Sequence, residues 1–295
     1  MDSPSVPRSM AGPAVGSPGA GRPPSPALDA LLAAHFADGE LVLPLLPTYA
    51  TQVVALCSDP SSDARSLAQL LQRDPALAAH VLAIANSAAL GAREKVVSLQ
   101  QAIARMGVRQ LASVALSIAV KTKVFKAGRH LERVSRLWHH SAVSGLFGRE
   151  IARMRRRNVE SAFLCGLLHD VGGPVVLQAV DEIQVATRCE FSAKEIEAAL
   201  ARHHAEVGER LVRTWGLPEW TSAAARHHHA PEAATECLDE VRTAHLADRL
   251  ADFTEGTDDL EGIDGVLSAL GLYEEDLDLL QQQVEQVRSA AEVYA

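Results

Sequence analysis

Apolar side chains recur at steps of three and four along most of the chain between about residues 27 and 253. The stretch 131–153 is typical, with Leu137, His140, Ser144 and Phe147 on one stripe. This spacing places side chains on one face of an α-helix, whereas a half-buried strand alternates every two residues. The pattern therefore predicts an all-α fold, a multi-helix bundle in which each helix buries one face.

Capping and breaking residues place the ends of these helices. Asp74-Pro75 is typical of a helix start, and Ser192 with Glu195 three residues later forms a capping box. Gly107 separates two helices, and the Gly172-Gly173 pair separates two more. The predicted helices cover residues 27–36, 99–106, 108–125, 131–153, 160–170, 174–185 and 241–253, with others starting near residues 48, 63, 75, 192 and 219.

The two ends of the chain differ in composition from its helical part. Residues 1–26 are rich in Pro, Gly, Ser and Ala and have almost no large apolar side chains, which predicts a disordered tail. The helical part divides into residues 27–130 and 131–253, an N-terminal and a second helical subdomain. Residues 254–295 form an acidic tail, in which 277–293 is predicted to be one amphipathic helix that contacts a partner or forms a homodimer.

Overall composition limits the kinds of partner that the chain can bind. Hydrophobic residues make up 47% of the chain but aromatic residues only 4%, a balance that favours packed helices. The formal net charge of -9 gives no support to broad binding of DNA or RNA. We expect the local basic run, Arg153 and Arg155 to Arg157, to be a solvated helix end, with phosphate binding as the alternative.

The cysteines and the apolar runs indicate a cellular compartment. Cys57, Cys165, Cys189 and Cys237 are far apart and form no Cys-x-x-Cys pair, which suits a reducing compartment. The N-terminus lacks the apolar core of a secretory signal, and the longest apolar run, Leu111–Val120, is too short to span a bilayer. We therefore expect a soluble cytoplasmic protein with no membrane segment.

Titratable residues interrupt the buried stripes at a few positions. An apolar run ends in the adjacent pair His169 and Asp170, while His204 and Asp248 lie on the apolar faces of later helices. A buried carboxylate without a partner is costly, so it needs a cation, a metal or a close hydrogen-bond donor. The inward-pointing polar residues are His140, His169, Asp170, His204, a pair within His227 to His229, and Asp248.

Imidazole and carboxylate groups are ligands that suit divalent Fe, Mn, Zn, Co or Ni. A single ion with four side chains would use His140, His169, Asp170 and Asp248, and a second ion or a phosphate would need the remaining histidines. The alternative is that the histidines are structural and hydrogen-bond to one another and to the two aspartates without any ion.

The order and spacing of these residues carry a resemblance. A histidine, then His-Asp, then later histidines and an aspartate is the order of the HD phosphohydrolase superfamily. More specifically, residues of about 40–253 resemble the HDOD domain, the HD-related output domain of bacterial signalling proteins. The motifs that carry this resemblance are Leu43-Pro44-Leu45-Leu46-Pro47, Arg73-Asp74-Pro75-Ala76-Leu77, Ala85-Asn86-Ser87, Ala102-Ile103 with Met106-Gly107, Leu137-Trp138-His139-His140-Ser141, Gly166-Leu167-Leu168-His169-Asp170-Val171-Gly172, His204-Ala205-Glu206-Val207-Gly208 and Trp215-Gly216-Leu217-Pro218.

The resemblance implies an HD-like helical subdomain over residues 131–253 and a set of ligand-type positions. These are His140, His169, Asp170, His204, His228, His229 and Asp248, and every one holds a residue of the ligand type. It also implies a signalling or regulatory output module that acts through protein partners and has no established catalytic activity.

Two departures concern the branch of the superfamily that hydrolyses cyclic-di-GMP. That branch has a lysine directly after its His-Asp-x-Gly core, where this chain has Gly173, and a Gly-Tyr-Pro motif that is missing after His229. Without the lysine, a charge for a scissile phosphate is lost. Two hypotheses remain: a non-enzymatic signalling module, and a metal-dependent phosphohydrolase of a nucleotide or other phosphate ester, in which a metal activates water.

Overall fold

A computed structural model describes residues 27–37, 43–48, 50, 52–53, 64–87, 95–125 and 128–294. The predicted tail 1–26 and most of the helix predicted from residue 48 lie outside these residues.

Within the described residues the chain is built from helices and turns, without a β-strand, so the predicted all-α fold is confirmed. In chain order the helices are α1 (Leu28–Ala37), α2 (Ala64–Leu71), α3 (Pro75–Ala85), α4 (Leu99–Met106), α5 (Val108–Lys123), α6 (Leu131–Met154), α7 (Val159–Leu168), α8 (Gly172–Thr187), α9 (Ala193–Thr214), α10 (Glu219–His227), α11 (Leu238–Glu255), α12 (Asp264–Leu270), α13 (Glu274–Gln281) and α14 (Val284–Ala291).

The helix starts follow the local signals in the sequence. The Asp74 side chain accepts hydrogen bonds from the backbone N–H groups of Ala76 and Leu77, and Ser192 and Glu195 form the predicted capping box. These contacts satisfy N–H groups that have no partner within the helix.

Glycines let the central helices pack with their backbones in contact. A Cβ at Gly166 of α7 would lie 2.5 Å from the Ser144 carbonyl oxygen of α6, and a Cβ at Gly148 would lie 2.6 Å from the Ala162 carbonyl oxygen. Such distances are far below van der Waals contact, so only glycine allows the two helices to cross this closely. The crossing brings the end of α7, with the His169-Asp170 pair, against the middle of α6.

The structure corrects the position of one predicted break. The Gly172-Gly173 pair does not separate two helices but forms the first turn of α8, and the turn lies at His169–Val171. The physical reason is close packing, because a Cβ at Gly172 would overlap the carbonyl oxygen of His204 in α9. Gly172 is therefore required by the contact between α8 and α9, whereas Gly173 faces Leu137 of α6.

The acidic C-terminal segment also differs from its prediction. In place of one helix over 277–293, the structure has α13 and α14, with a bend at Gln282 and Gln283. Leu280, before the bend, and Val287, after it, are both buried. The segment ends against the chain's own core, where the indole N–H of Trp138 donates a hydrogen bond of 2.7 Å to the carbonyl oxygen of Tyr294. Contact of this segment with a partner stays a prediction.

The basic run at the end of α6 is not uniformly solvated. The side chain of Arg155 is only 7% exposed; it is paired with Asp239 and donates a hydrogen bond of 2.6 Å to the carbonyl oxygen of Leu270. Arg155 therefore connects α6 to α11 and to the end of α12, and the expectation of a solvated end is wrong for this residue.

One stretch has the length and composition of a membrane span. It is Val159–Thr187, but 89% of its apolar window is buried inside the fold, as in a core helix of a soluble protein. The pair α4 and α5 passes the same test only as one unit, and it is bent by 116°. The fold is that of a soluble helical domain, and a cytoplasmic location stays a prediction.

Candidate metal centre

Five parts of the fold meet at one interior point. His140 comes from the middle of α6, His169 and Asp170 from the turn after α7, and His204 from α9. The remaining residues are His228 and His229 at the end of α10, and Asp248 of α11. All seven ligand-type residues predicted from the sequence are thus brought together, and His227 is outside the two groups that they form.

The first group consists of His140, His169 and Asp248, which are all buried. One carboxylate oxygen of Asp248 lies 2.9 Å from Nε2 of His140 and 3.3 Å from Nε2 of His169. Three potential ligand atoms therefore surround one small volume, which is the spacing expected for side chains that share an ion.

The second group consists of Asp170, His204, His228 and His229. Nε2 of His204 lies 3.2 Å from Nε2 of His228 and 3.0 Å from Nε2 of His229. The Oδ1 atom of Asp170 lies 3.3 Å from Nε2 of His204 and 3.4 Å from Nε2 of His228. This group has three imidazoles and one carboxylate.

Asp170 lies between the two groups. While its Oδ1 atom faces the second group, its Oδ2 atom lies 3.6 Å from Nε2 of His169 in the first. One carboxylate with an oxygen toward each group has the arrangement of a ligand that two ions share. The seven residues could therefore hold either one ion or a pair.

Backbone carbonyls determine which ring nitrogens face the centre. Nδ1 of His169 donates to the Gly166 oxygen at 2.6 Å, and Nδ1 of His204 donates to the Leu200 oxygen at 2.7 Å. Nδ1 of His228 donates in the same way to the Ala225 oxygen at 3.1 Å. A neutral imidazole that donates through Nδ1 has its lone pair on Nε2, so three lone pairs point inward. This outer hydrogen bond is typical of histidines that bind metals.

Most of the inward atoms lack donors within the protein; the exception is Nε2 of His204, which His229 can reach with its own Nε2 at 3.0 Å. With their Nδ1 protons engaged, His204 and His228 face each other with two lone pairs, which cannot form a hydrogen bond. Nε2 of His169 and Oδ1 of Asp170 are also buried without a hydrogen-bond partner. Unpartnered buried acceptors are rare and costly, and a cation at this point would satisfy all of them. The residues therefore fit a divalent metal.

The carboxylates and imidazoles of the cluster shift one another's pKa values. Burial alone would lower the pKa of His140 and of His169, but Asp248 and Asp170 raise both. Burial alone would raise the pKa of Asp170 and of Asp248, but the surrounding histidines hold the pKa of both carboxyls well below their usual range. Burial, together with the neighbouring His228, lowers the pKa of His229 to about 4. Ionised carboxylates and a neutral imidazole are the states in which these side chains bind metals.

A cavity of about 600 Å³ opens over the cluster. His229 stands at its edge, with a side chain that is 58% exposed. Besides the ligand-type residues, its walls include Arg133, Arg136, Glu197, Asp252 and Glu255. The cluster is therefore reachable from solvent.

Sequence reasoning missed two acidic residues at this cavity. Asp252 and Glu255 follow Asp248 by four and seven positions on α11, and their carboxylates lie 3.7 Å and 3.6 Å from Nδ1 of His140. With His140 they form a third group that could hold a metal ion. Positions separated by four and seven share a helix face, so the spacing contained a usable signal. The two residues were missed because their side chains are partly exposed, unlike those of the buried stripe.

Histidines predicted to point away from the core lie outside the cluster. His203 is adjacent to His204, but its Nε2 lies 2.8 Å from a carboxylate oxygen of Asp29 in α1. His139 is next to His140 and is more exposed than it. The helical periodicity thus distinguishes the histidines of the cluster from the histidines adjacent to them in sequence.

Comparison with known proteins finds similar folds and one distant relative. A solved structure of an HDOD domain protein of unknown function from Geobacter sulfurreducens has a TM-score of 0.70 and 23% identity, over 91% of this chain and 98% of that one. A protein named as a candidate metal-dependent phosphohydrolase, from Shewanella amazonensis SB2B, has a TM-score of 0.68 and 18% identity, over 90% and 98%. At these identities the likeness establishes the fold alone.

A relative in sequence is an uncharacterised protein of Treponema pallidum (strain Nichols), 26% identical over 249 residues. The match includes 79% of this chain but 46% of that protein, so the chain spans about half the length of this relative. The family model of the HDOD domain matches residues 43–231, more than half of the 295 residues, and includes six of the seven clustered residues and every helix from α2 to α10. The chain therefore belongs to the HDOD domain family.

Proposed function

We propose that the chain is a bacterial signal-transduction module of the HDOD type, in which the cluster binds divalent metal and controls contacts with a protein partner. The observation that carries the proposal is the pair of inward-facing Nε2 atoms of His204 and His228, 3.2 Å apart and both without a proton to donate. Such a pair is stable when a cation lies between the rings.

A metal at this point would connect helices that are distant in sequence. His140 belongs to α6, His204 to α9 and Asp248 to α11, so one ion or a pair would fix the relative positions of these helices. The free energy of ion binding would then stabilise one arrangement of these helices, and of the surface that they form, over others. A partner that recognises this arrangement would respond to the metal.

The residues have separate expected roles. His140, His169, Asp170 and Asp248 would hold a first ion, and Asp170 would share a second ion with His204, His228 and His229. When bound, a divalent transition metal supplies positive charge for an anionic ligand and lowers the pKa of water toward neutrality. The carbonyls of Gly166, Leu200 and Ala225 keep the rings in the tautomer that binding needs.

Adjacent histidines provide a matched test of metal binding. We expect His204→Ala to weaken binding of Mn²⁺ at least about tenfold, because the substitution removes a ligand. His203→Ala should leave the metal content unchanged, because His203 contacts Asp29 outside the cluster. Elemental analysis of protein purified without a histidine tag, followed by titration of chelator-treated protein, measures both. Equal loss in the two variants, or no metal in the wild type, would contradict the proposal.

Hydrogen exchange tests the transmission of the bound state. Addition of Mn²⁺ to metal-stripped protein should slow amide exchange in α6, α9 and α11, which contribute ligands from different parts of the chain. The exchange of α2 and α3, which contribute none, is the internal control. Slowing restricted to the residues next to the cluster would mean that the metal is structural and local.

A metal-dependent phosphohydrolase is the second candidate. One observation favours it, namely that the cavity of about 600 Å³ leaves the cluster open to solvent, whereas purely structural metal sites are closed. We do not expect hydrolysis of cyclic-di-GMP, because Gly173 stands at the position of the lysine in that branch.

Turnover separates the two candidates. Metal-loaded protein is incubated with a panel of phosphate monoesters and diesters in the presence of Mn²⁺ or Fe²⁺. Hydrolysis that is lost in Asp170→Asn would establish the enzyme. Full metal content without hydrolysis would leave the signalling module as the function.

A further inference from the structure

We infer that Arg136 binds the phosphate group of a ligand in the cavity over the cluster, and that the cavity accepts a single phosphate only when metal is bound. The inference rests on the proposed metal centre and adds the chemical class of its ligand, a phosphate ester with one phosphate group. It concerns a residue outside the seven ligand-type positions.

Arg136 is placed to reach the cavity from α6. It precedes His140 by four residues, so it lies on the same helix face about one turn away. Arg133 lies one further turn away and lines the same cavity, but its Nε atom is 2.8 Å from the Glu197 carboxylate. Arg136 has no carboxylate partner among the residues that the structure describes. Its planar guanidinium, with several donors, matches a phosphate group.

Packing at Gly173 explains why the positive side chain that faces the phosphate would be an arginine of α6 and not a lysine at position 173. A Cβ at Gly173 would lie 3.0 Å from Cδ1 of Leu137, so the space next to this glycine is filled by a side chain of α6. A lysine here could not be accommodated unless Leu137 moved. Arg136, the residue before Leu137, lines the same cavity and can supply positive charge to it.

The charge of the cavity makes phosphate binding depend on metal. Two arginines line the cavity, Arg133 and Arg136, against five carboxylates, those of Asp170, Glu197, Asp248, Asp252 and Glu255. Their formal charge is therefore -3, which repels anions. One divalent ion would leave it at -1, so the inference requires the pair of ions, which would change it to +1; that charge suits one phosphate group but not a polyphosphate. The volume of about 600 Å³ is in the range of small-molecule sites.

Calorimetric titration with inorganic phosphate tests the inference, using the full chain in metal-stripped and Mn²⁺-loaded forms. We expect binding only to the loaded form. Arg136→Ala should weaken it about tenfold or more with unchanged manganese content, and Arg136→Lys should restore part of the affinity. Arg133→Ala is the matched control, because it removes the same charge from the same cavity but from an arginine already paired with Glu197.

The outcomes separate the two proposals. Manganese content is measured first, so a protein without metal contradicts the metal centre before phosphate is added. If manganese is bound, equal weakening in Arg136→Ala and Arg133→Ala would mean that only the general charge matters, and Arg136 would have no specific role. Phosphate binding to the metal-stripped form, or none to the loaded form, would also overturn the inference.

Discussion

Asp170→Ala is expected to cause the largest loss of metal of any single substitution in the cluster. Asp170 presents one oxygen to each group, at 3.6 Å from His169 and 3.3 Å from His204, whereas each of the five histidines belongs to only one of these two groups. Asp248 also reaches the second group, but at the longer distance of 3.7 Å from Nδ1 of His229. Loss of residues that only orient metal ligands costs about 10–100-fold in affinity, so loss of a shared ligand should exceed 100-fold. Elemental analysis and Mn²⁺ titration will measure this change at both positions.

Glu197→Ala is the matched control for this prediction. Glu197 lines the same cavity, but its carboxylate is paired with Arg133 and it belongs to none of the groups of described residues that could hold a metal ion. We expect its metal content to stay close to that of the wild type. If Asp170→Ala retains one ion with wild-type affinity, the two groups bind independently and Asp170 does not connect them.

Gly172→Ala is expected to cause the largest loss of stability. The new Cβ would overlap the His204 carbonyl oxygen and lie 2.5 Å from the Gly208 backbone nitrogen, and neither backbone atom can rotate away. Helices α8 and α9 would have to separate, which we expect to lower the free energy of unfolding by about 3 kcal/mol or more. Denaturant unfolding of the variant and the wild type measures this.

Gly265→Ala provides the control for that substitution. Gly265 lies in α12, and a Cβ there meets no atom within 4 Å. The free energy of unfolding of Gly265→Ala should stay within about 1 kcal/mol of the wild type, with a small gain because alanine favours the helix.

Since α9 carries His204, Gly172→Ala should also lose metal in any fraction that stays folded. A Gly172→Ala protein as stable as Gly265→Ala would show that the helices can shift at little cost.

Helical periodicity is sufficient to identify most of the cluster. The stripes of α6 and α9 predict buried positions for His140 and His204 and outer positions for His139 and His203, and the structure agrees. The reason is that the face of a helix is set by spacing along the chain alone. The distances between helices depend on their crossings, so the division into two groups with Asp170 between them follows only from the structure.

Tertiary packing also accounts for the predictions that are wrong. The Gly172-Gly173 pair has the local appearance of a break, but Gly172 packs against α9 and Gly173 against Leu137 of α6. Arg155 has the appearance of a solvated residue, but the Asp239 carboxylate and the Leu270 carbonyl bind it in the interior. In both cases a residue type that usually indicates solvent or a turn is used for packing between helices.

The hydrogen bond between His140 and Asp248 joins residues that are 108 positions apart. During synthesis on the ribosome, the first group therefore cannot be completed until α11 has emerged. A chain that stops before residue 248 would lack the carboxylate that joins His140 to His169. Uptake of the first ion would then distinguish chains that include residue 248 from chains that stop before it.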